Sequence, residues 1–206
     1  MATMNVAVHY DLLIEENNDP FRDPPVLQDH MNLWDGERFI KSLNLGANRD
    51  VLEIGIGTGR IAAKVAPFCR HLTGIDISPK TIERAKENLK EYPNISFVCD
   101  DFVHYSFNEA FDIIYSSLTM MHFEDKQKVI SKVDALLNEG GVFSLSIDKN
   151  QDEYIDMGTR KVKIYPDTPD NIISIINATA MTVANVLETD NAYIIVCNKQ
   201  KTPSNV

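Results

Sequence analysis

Three glycines alternate in Glu53-Ile54-Gly55-Ile56-Gly57-Thr58-Gly59-Arg60, and downstream stand carboxylates at Asp76 and Asp100-Asp101 and an imidazole at His122. Alternate glycines let a backbone turn sharply and come close to a ligand, which makes the first run a candidate cofactor loop. Glycines at 55 and 57 satisfy two positions of a dinucleotide fingerprint, but the third falls at Arg60, which disfavours NAD. Glu53 argues the same way, because an anion beside the loop repels pyrophosphate and attracts a cation. His122 has the chemistry of a general base and equally that of a hydrogen-bonded structural histidine.

Such residues act together only if the fold gathers them. Val51-Leu52-Glu53-Ile54 predicts a short strand feeding the glycine loop, with a helix over 60–68. Further strands are predicted at 72–77, 95–99, 111–116 and 142–147, with helices from Pro79, capped by Ser78, and over 125–137, stopped by Gly140-Gly141. A helix over 169–179 and strands at 181–188 and 192–198 complete the pattern, the last two close enough for an antiparallel hairpin. The expected fold is α/β: a seven-stranded, mostly parallel sheet with helices on both faces, an antiparallel closing hairpin and a small N-terminal helical cap. Residues 1–48 are read as that cap, with a helix around 34–43 and no strand, and residues 49–200 as a Rossmann-like domain. The polar stretch 148–170 is too long for a tight connection and is read as functional or as a lid. In such a sheet Glu53, Asp76 and Asp100 sit at strand carboxyl ends, along one ligand crevice.

A ligand without phosphate that carries an amino group, a ribose and an adenine suits that crevice, and S-adenosylmethionine meets the description. Glu53-x-Gly55-x-Gly57-x-Gly59 after the first strand resembles motif I of the class I S-adenosylmethionine-dependent methyltransferases. The resemblance extends through Gly74-Ile75-Asp76-Ile77-Ser78, Val98-Cys99-Asp100-Asp101-Phe102 and 111–123, and through Leu136-Leu137-Asn138-Glu139-Gly140-Gly141, where Asn138-Glu139 replaces the usual Lys-Pro. It implies that Glu53, Gly55, Gly57, Thr58, Gly59, Asp76, Ile77, Asp100, Asp101, Phe102 and Ser116 hold the cofactor. Asp76 would take both ribose hydroxyls and Asp100 the adenine amine. The implied product is S-adenosylhomocysteine, with His122 as candidate base and Tyr10 closing over the methionine end. A non-catalytic S-adenosylmethionine-binding module and an aminopropyltransferase using the decarboxylated donor are the alternatives.

The acceptor implied is a small molecule. The 206 residues carry 20 bases and 30 acids, a net charge of −10, which disfavours nucleic acid. The Pro-Pro-aromatic turn of enzymes that methylate nucleobase or glutamine amino groups is replaced by Ser116-Ser117-Leu118-Thr119. No metal is expected, since the only oxygen ligand noted near the fourth and fifth strands is Asp148. The absence of a basic leader and of a long apolar run suggests a cytoplasmic protein without membrane contact, either a monomer or a homodimer. Cys69, Cys99 and Cys197 are expected as buried thiols. Trp34 is read as an anchor for its helix ahead of a substrate-facing aromatic, Glu15-Glu16 with Asp19 as a solvated face ahead of an attractor for a cationic substrate, and Arg160, Lys161 and Lys163 as either an anion site or a strand with one wet face.

Overall fold

The computed structural model describes residues 3–201. Seven strands form the main sheet: β2 (Asp50–Ile54), β3 (His71–Asp76), β4 (Ile95–Cys99), β5 (Phe111–Ser117), β6 (Leu137–Asp148), β9 (Met181–Glu188) and β10 (Ala192–Lys199). Their order is β4-β3-β2-β5-β6-β10-β9, parallel except for β10, which pairs antiparallel with both β6 and β9. The order reverses at β2, from which the chain leads first to one side, to β3 and β4, and then to the other, to β5 and β6, so a crevice opens there at the carboxyl edge.

Both faces are covered because the central strands are apolar on both sides. Against one face pack α3 (Gly36–Ser42), α4 (Ala62–Val65) and α5 (Pro79–Asn88), through Phe39, Leu43, Val65, Ile82 and Leu89 just beyond α5. Against the other pack α6 (Lys126–Leu136) and α7 (Pro169–Asn177), through Val129, Ile130, Val133, Ile172 and Ile176. Ser78, Asp125 and Thr168 cap α5, α6 and α7 by accepting from backbone N–H groups three residues on.

Three expectations need correction. The segment before residue 48 does contain a strand, β1 (Thr3–Met4), along with two helices the sequence did not signal, α1 (Val6–Glu15) and α2 (Pro25–Met31). The fifth parallel strand begins at Leu137 rather than Val142, because α6 passes directly into extended chain: Leu137 pairs with Phe111 and Asn138 donates to Asp112. Gly140, at φ 74°, and Gly141 lie inside that strand, where the pairing register with β5 shifts. Cys99 is exposed at the end of β4, at the edge of the sheet, whereas Cys69 and Cys197 are buried.

The stretch 149–168 is ordered around β7 (Tyr154–Asp156) and β8 (Lys161–Lys163), an antiparallel pair joined by β1 in parallel to form a separate three-stranded sheet. Arg160 is 8% exposed and donates to both Glu16 oxygens, at 2.6 and 2.7 Å, and to His9. It therefore ties α1 to this insertion and is no free anion site. Glu15 pairs with Lys80, and Asp19 is buried against Arg84 and Asn88, so this acidic run is engaged within the fold. Trp34 anchors as expected, its indole donating to Asp148 at 3.0 Å.

Candidate active site

A cavity of about 350 Å³ opens at the carboxyl edge of β2, β3 and β4, beneath α1. The turn after β2 carries Gly55 at φ 78° and Gly57 at φ 55°, conformations that glycine adopts without strain. A Cβ on Gly55 would lie 2.1 Å from the Thr119 hydroxyl, so this glycine lets the loop after β5 pack against the turn. At Gly57 an added Cβ meets nothing within 4 Å, so the backbone there faces open space. Gly59 does not line the cavity: its Cα faces Leu89, 2.5 Å from where a Cβ would stand, and its freedom serves packing.

Carboxylates ring the turn. Glu53 is 2% exposed and accepts from the Tyr115 hydroxyl at 2.7 Å; burial pushes its carboxyl up to about 8 despite that bond and the nearby Arg60. Asp76, at the end of β3, accepts from the Gly57 and Ser78 N–H groups, each at 3.0 Å. Burial raises its pKa above the usual range even so. Ile77, Asp100, Asp101 and Phe102 also line the cavity, from the ends of β3 and β4. Asp101 accepts from the Val103 N–H and faces His104 in a local turn. Thr58 lines it too, while its hydroxyl accepts from the Phe21 N–H and fixes the chain after α1. Ser116 is fully buried and off the cavity, because side chains alternate along β5 and it is Ser117 that reaches the site.

At the other end Tyr10 of α1 meets His122, Oη to Nε2, at 2.8 Å, and both line the cavity. His122 Nδ1 is buried without a partner among the described residues. Burial, helped by His9 and Lys126, lowers the imidazole to about 4, so it is neutral at pH 7.

The sequence did not signal the pair beneath this site. Arg60 lines the cavity and its guanidinium meets both oxygens of Asp35, which is 1% exposed and also accepts from Ser117 at 2.7 Å. Burial alone would raise Asp35, but Arg60 and these donors outweigh it and hold the carboxyl below its usual range. Asp35 caps α3 by accepting from the Gly36 N–H at 2.7 Å, but it lies 25 residues from Arg60 and 82 from Ser117, so nothing local announces the ion pair. Leu118, left-handed at φ 54° without being glycine, is a second unsignalled feature on the cavity wall.

A family model described as "Methyltransferase domain" matches residues 51–141. Nodulation protein S from Sinorhizobium fredii is 32% identical over 114 residues, 53% of each chain. The match spans between 35% and 53% of the length of the first curated relatives. An uncharacterized methyltransferase from Anoxybacillus flavithermus is 30% identical over 156 residues, 73% of this chain and 68% of that one. The N-methyltransferase NodS from Bradyrhizobium japonicum, solved with S-adenosylhomocysteine, superimposes with a TM-score of 0.68 over 93% of this chain and 98% of its own, at 24% identity. Motif order, sheet order, cavity and relatives agree: this chain belongs to the class I S-adenosylmethionine-dependent methyltransferase family.

Proposed function

We propose that the protein transfers a methyl group from S-adenosylmethionine to an O, N or C nucleophile of a small molecule. The observation that carries this reading is the one cavity in which the glycine turn, Glu53, Asp76 and Asp100 converge. Its donors and acceptors fit the cofactor: Gly57 leaves open space for close backbone approach, and Asp76 is a half-buried carboxyl with lone pairs free for hydroxyl donors. Glu53, on the cavity wall, suits an α-ammonium, and Asp100 suits an exocyclic amine. When bound, S-adenosylmethionine supplies an electrophilic methyl on a sulfonium.

The chain's own contribution is alignment and exclusion of water. Asp76 and Glu53 fix the two ends of the donor, and the Arg60–Asp35–Ser117 network holds the floor between them. Tyr10 and His122 serve as positioning residues that close the cover over the methionine end. With Nε2 on the phenol, Nδ1 enclosed and a pKa of about 4, His122 is a weak proton acceptor in this arrangement. A fixed donor next to an acceptor needs little more, because in-line transfer forms no covalent enzyme intermediate.

Calorimetric titration with S-adenosylmethionine and S-adenosylhomocysteine tests the reading. Wild type binds both, and Asp76→Ala weakens binding by about 1–3 kcal/mol. Absence of binding to wild type overturns it. Tighter binding of the decarboxylated donor would select aminopropyl transfer, and binding without turnover across an acceptor screen would select a sensing module.

A further inference from the structure

A second cavity, of about 360 Å³, adjoins the first and shares Leu118 and Met121 with it. Its other walls come from the end of β6 and from the insertion that carries β7 and β8. Four carboxylates line it, Asp148, Asp152, Asp156 and Asp167, and no Lys or Arg does. Asp167 is 7% exposed and pairs with Lys126 at 3.1 Å, and Asp156 pairs with Lys161 at 2.7 Å. Asp148 is held by neutral donors alone, the Trp34 indole at 3.0 Å and the Asn150 N–H at 2.8 Å. Among the described residues neither Asp148 nor Asp152 joins an ion pair, so two negative charges on the wall lack a cation.

Apolar surface accompanies the charge: Tyr154, Ile155 and Ile164 line the same space. The described residues contain no group of three or more His, Cys, Asp or Glu placed to hold a metal ion, so the carboxylates are spread along a wall rather than gathered about a point. A mixed apolar and anionic lining of this volume matches an organic cation of small-molecule size. The side of the cavity nearest the proposed donor is its shared wall, Leu118 and Met121, with Leu118 in its left-handed conformation there.

Resting on the reading of the first cavity as the donor site, we infer that the second cavity is the acceptor site and that the acceptor is an amine-bearing small molecule. Its ammonium group is held by Asp148 and Asp152, and its reacting atom reaches the donor past Leu118 and Met121. A carboxylate-bearing acceptor would meet uncompensated charge of its own sign in this space, and an uncharged one would leave Asp148 without a charged partner.

The test uses the full chain saturated with S-adenosylhomocysteine and calorimetry with probes of matched size and different charge: phenethylamine, 2-phenylethanol and phenylacetate, with 1,4-diaminobutane as a second cation. The cations should bind at least tenfold more tightly than the alcohol, and phenylacetate least of all. Asp152→Asn and Asp148→Asn should each erase most of that preference while S-adenosylhomocysteine affinity stays within twofold. Asp148 also holds Trp34, so if Asp148→Asn fails to fold, the exposed Asp152 decides the matter. Equal binding of alcohol and amine, a preference for phenylacetate, failure of both cations to bind, or a cation preference untouched by Asp152→Asn overturns the inference. Failure of S-adenosylhomocysteine itself to bind wild type strikes the donor reading instead, so the two failures are distinct.

Discussion

The donor edge and the cover above it are built in opposite ways. Between residues 50 and 117 the cavity is made from turns that follow consecutive strands, so each wall is specified by the few residues around it. The cover is made of α1 and the β1-β8-β7 sheet, whose partners lie far apart in the chain: Thr3 pairs with Lys161, Glu16 with Arg160 across 144 residues, and Tyr10 with His122 across 112. Packed hydrocarbon on both faces of the sheet backs the edge, whereas the cover hangs on contacts distant in the chain, Arg160 on the half-exposed Glu16 among them. Edge substitutions should therefore act through sterics and desolvation, and cover substitutions through access.

The largest effect is expected at Gly55. Gly55→Ala introduces a left-handed alanine, costing about 1–2 kcal/mol, and an overlap with Thr119, whose hydroxyl lies 2.1 Å from the new Cβ. Overpacking of that kind adds about 1–3 kcal/mol, and thermal unfolding should register the sum. Gly57→Ala sharpens the contrast, since nothing lies within 4 Å of its Cβ. It should lose only the conformational part of stability yet bind S-adenosylhomocysteine about tenfold more weakly, roughly 1.4 kcal/mol. Equal loss of stability in the two variants would contradict the assignment of Gly57 to the ligand and Gly55 to packing.

Next comes the charge buried at the edge. The Glu53 carboxyl, raised by burial to about 8, stays protonated in the folded ligand-free protein at a pH where the unfolded chain has already ionised. The folded state thus binds the extra proton, and its stability is full below about pH 4.3 and declines as pH rises toward 8, by at most about 1.4 kcal/mol per unit. Glu53→Gln should flatten that part of the melting-temperature profile. In the wild type, binding the cationic donor should release a proton near pH 7, visible as a dependence of binding enthalpy on the buffer, and the variant should lose that dependence. A profile that is the same in both proteins would place the ionisation elsewhere.

These contrasts also explain what the sequence disclosed. That Glu53, Gly55, Gly57 and Asp76 would share one crevice was legible because a strand followed by a turn fixes where the next few side chains go, and the alternation of apolar runs revealed the strands. Gly59 and Ser116 lie off the cavity by one position's worth of geometry: Gly59 faces Leu89, and Ser116 is fully buried while its neighbour Ser117 lines the cavity. The 137–141 segment misled because a glycine pair that ordinarily ends a helix here forms an irregularity within a strand. Of the cover, the sequence disclosed a cap before residue 48, a lid candidate over 148–170 and Tyr10, but not the elements and contacts that build it. Arg160 and β1 acquire their partners, and Asp35 its Arg60 and Ser117 partners, through contacts distant in the chain, and α1 has apolar residues such as Val8 on its exposed side that blur its period.

Within the cover, Arg160→Ala breaks the link between α1 and the insertion. Because Glu16 is half exposed, the effect should be local rather than global: faster hydrogen exchange at β1 and β8, with the exchange of β2 and β5 unchanged. Uniform acceleration across the main sheet would mean that cover and edge unfold as one unit, and the distinction between them would fail.

The smallest effect separates closure from proton transfer at the Tyr10–His122 contact. Tyr10→Phe removes one hydrogen bond of 2.8 Å and leaves the ring in place, a loss of about 0.5–1.5 kcal/mol in holding α1 over the cavity. If the contact only closes the site, the variant should raise KM for the donor severalfold, leave kcat nearly unchanged and keep the shape of the pH–rate profile. His122→Asn, which retains a polar group at that place, should behave alike. If instead His122 accepts a proton from the acceptor, its removal must depress kcat by far more than any change in KM and erase a limb of the profile. An imidazole lowered to about 4 would put that limb well below neutrality, so kinetics between pH 4 and 7 decide between the two roles.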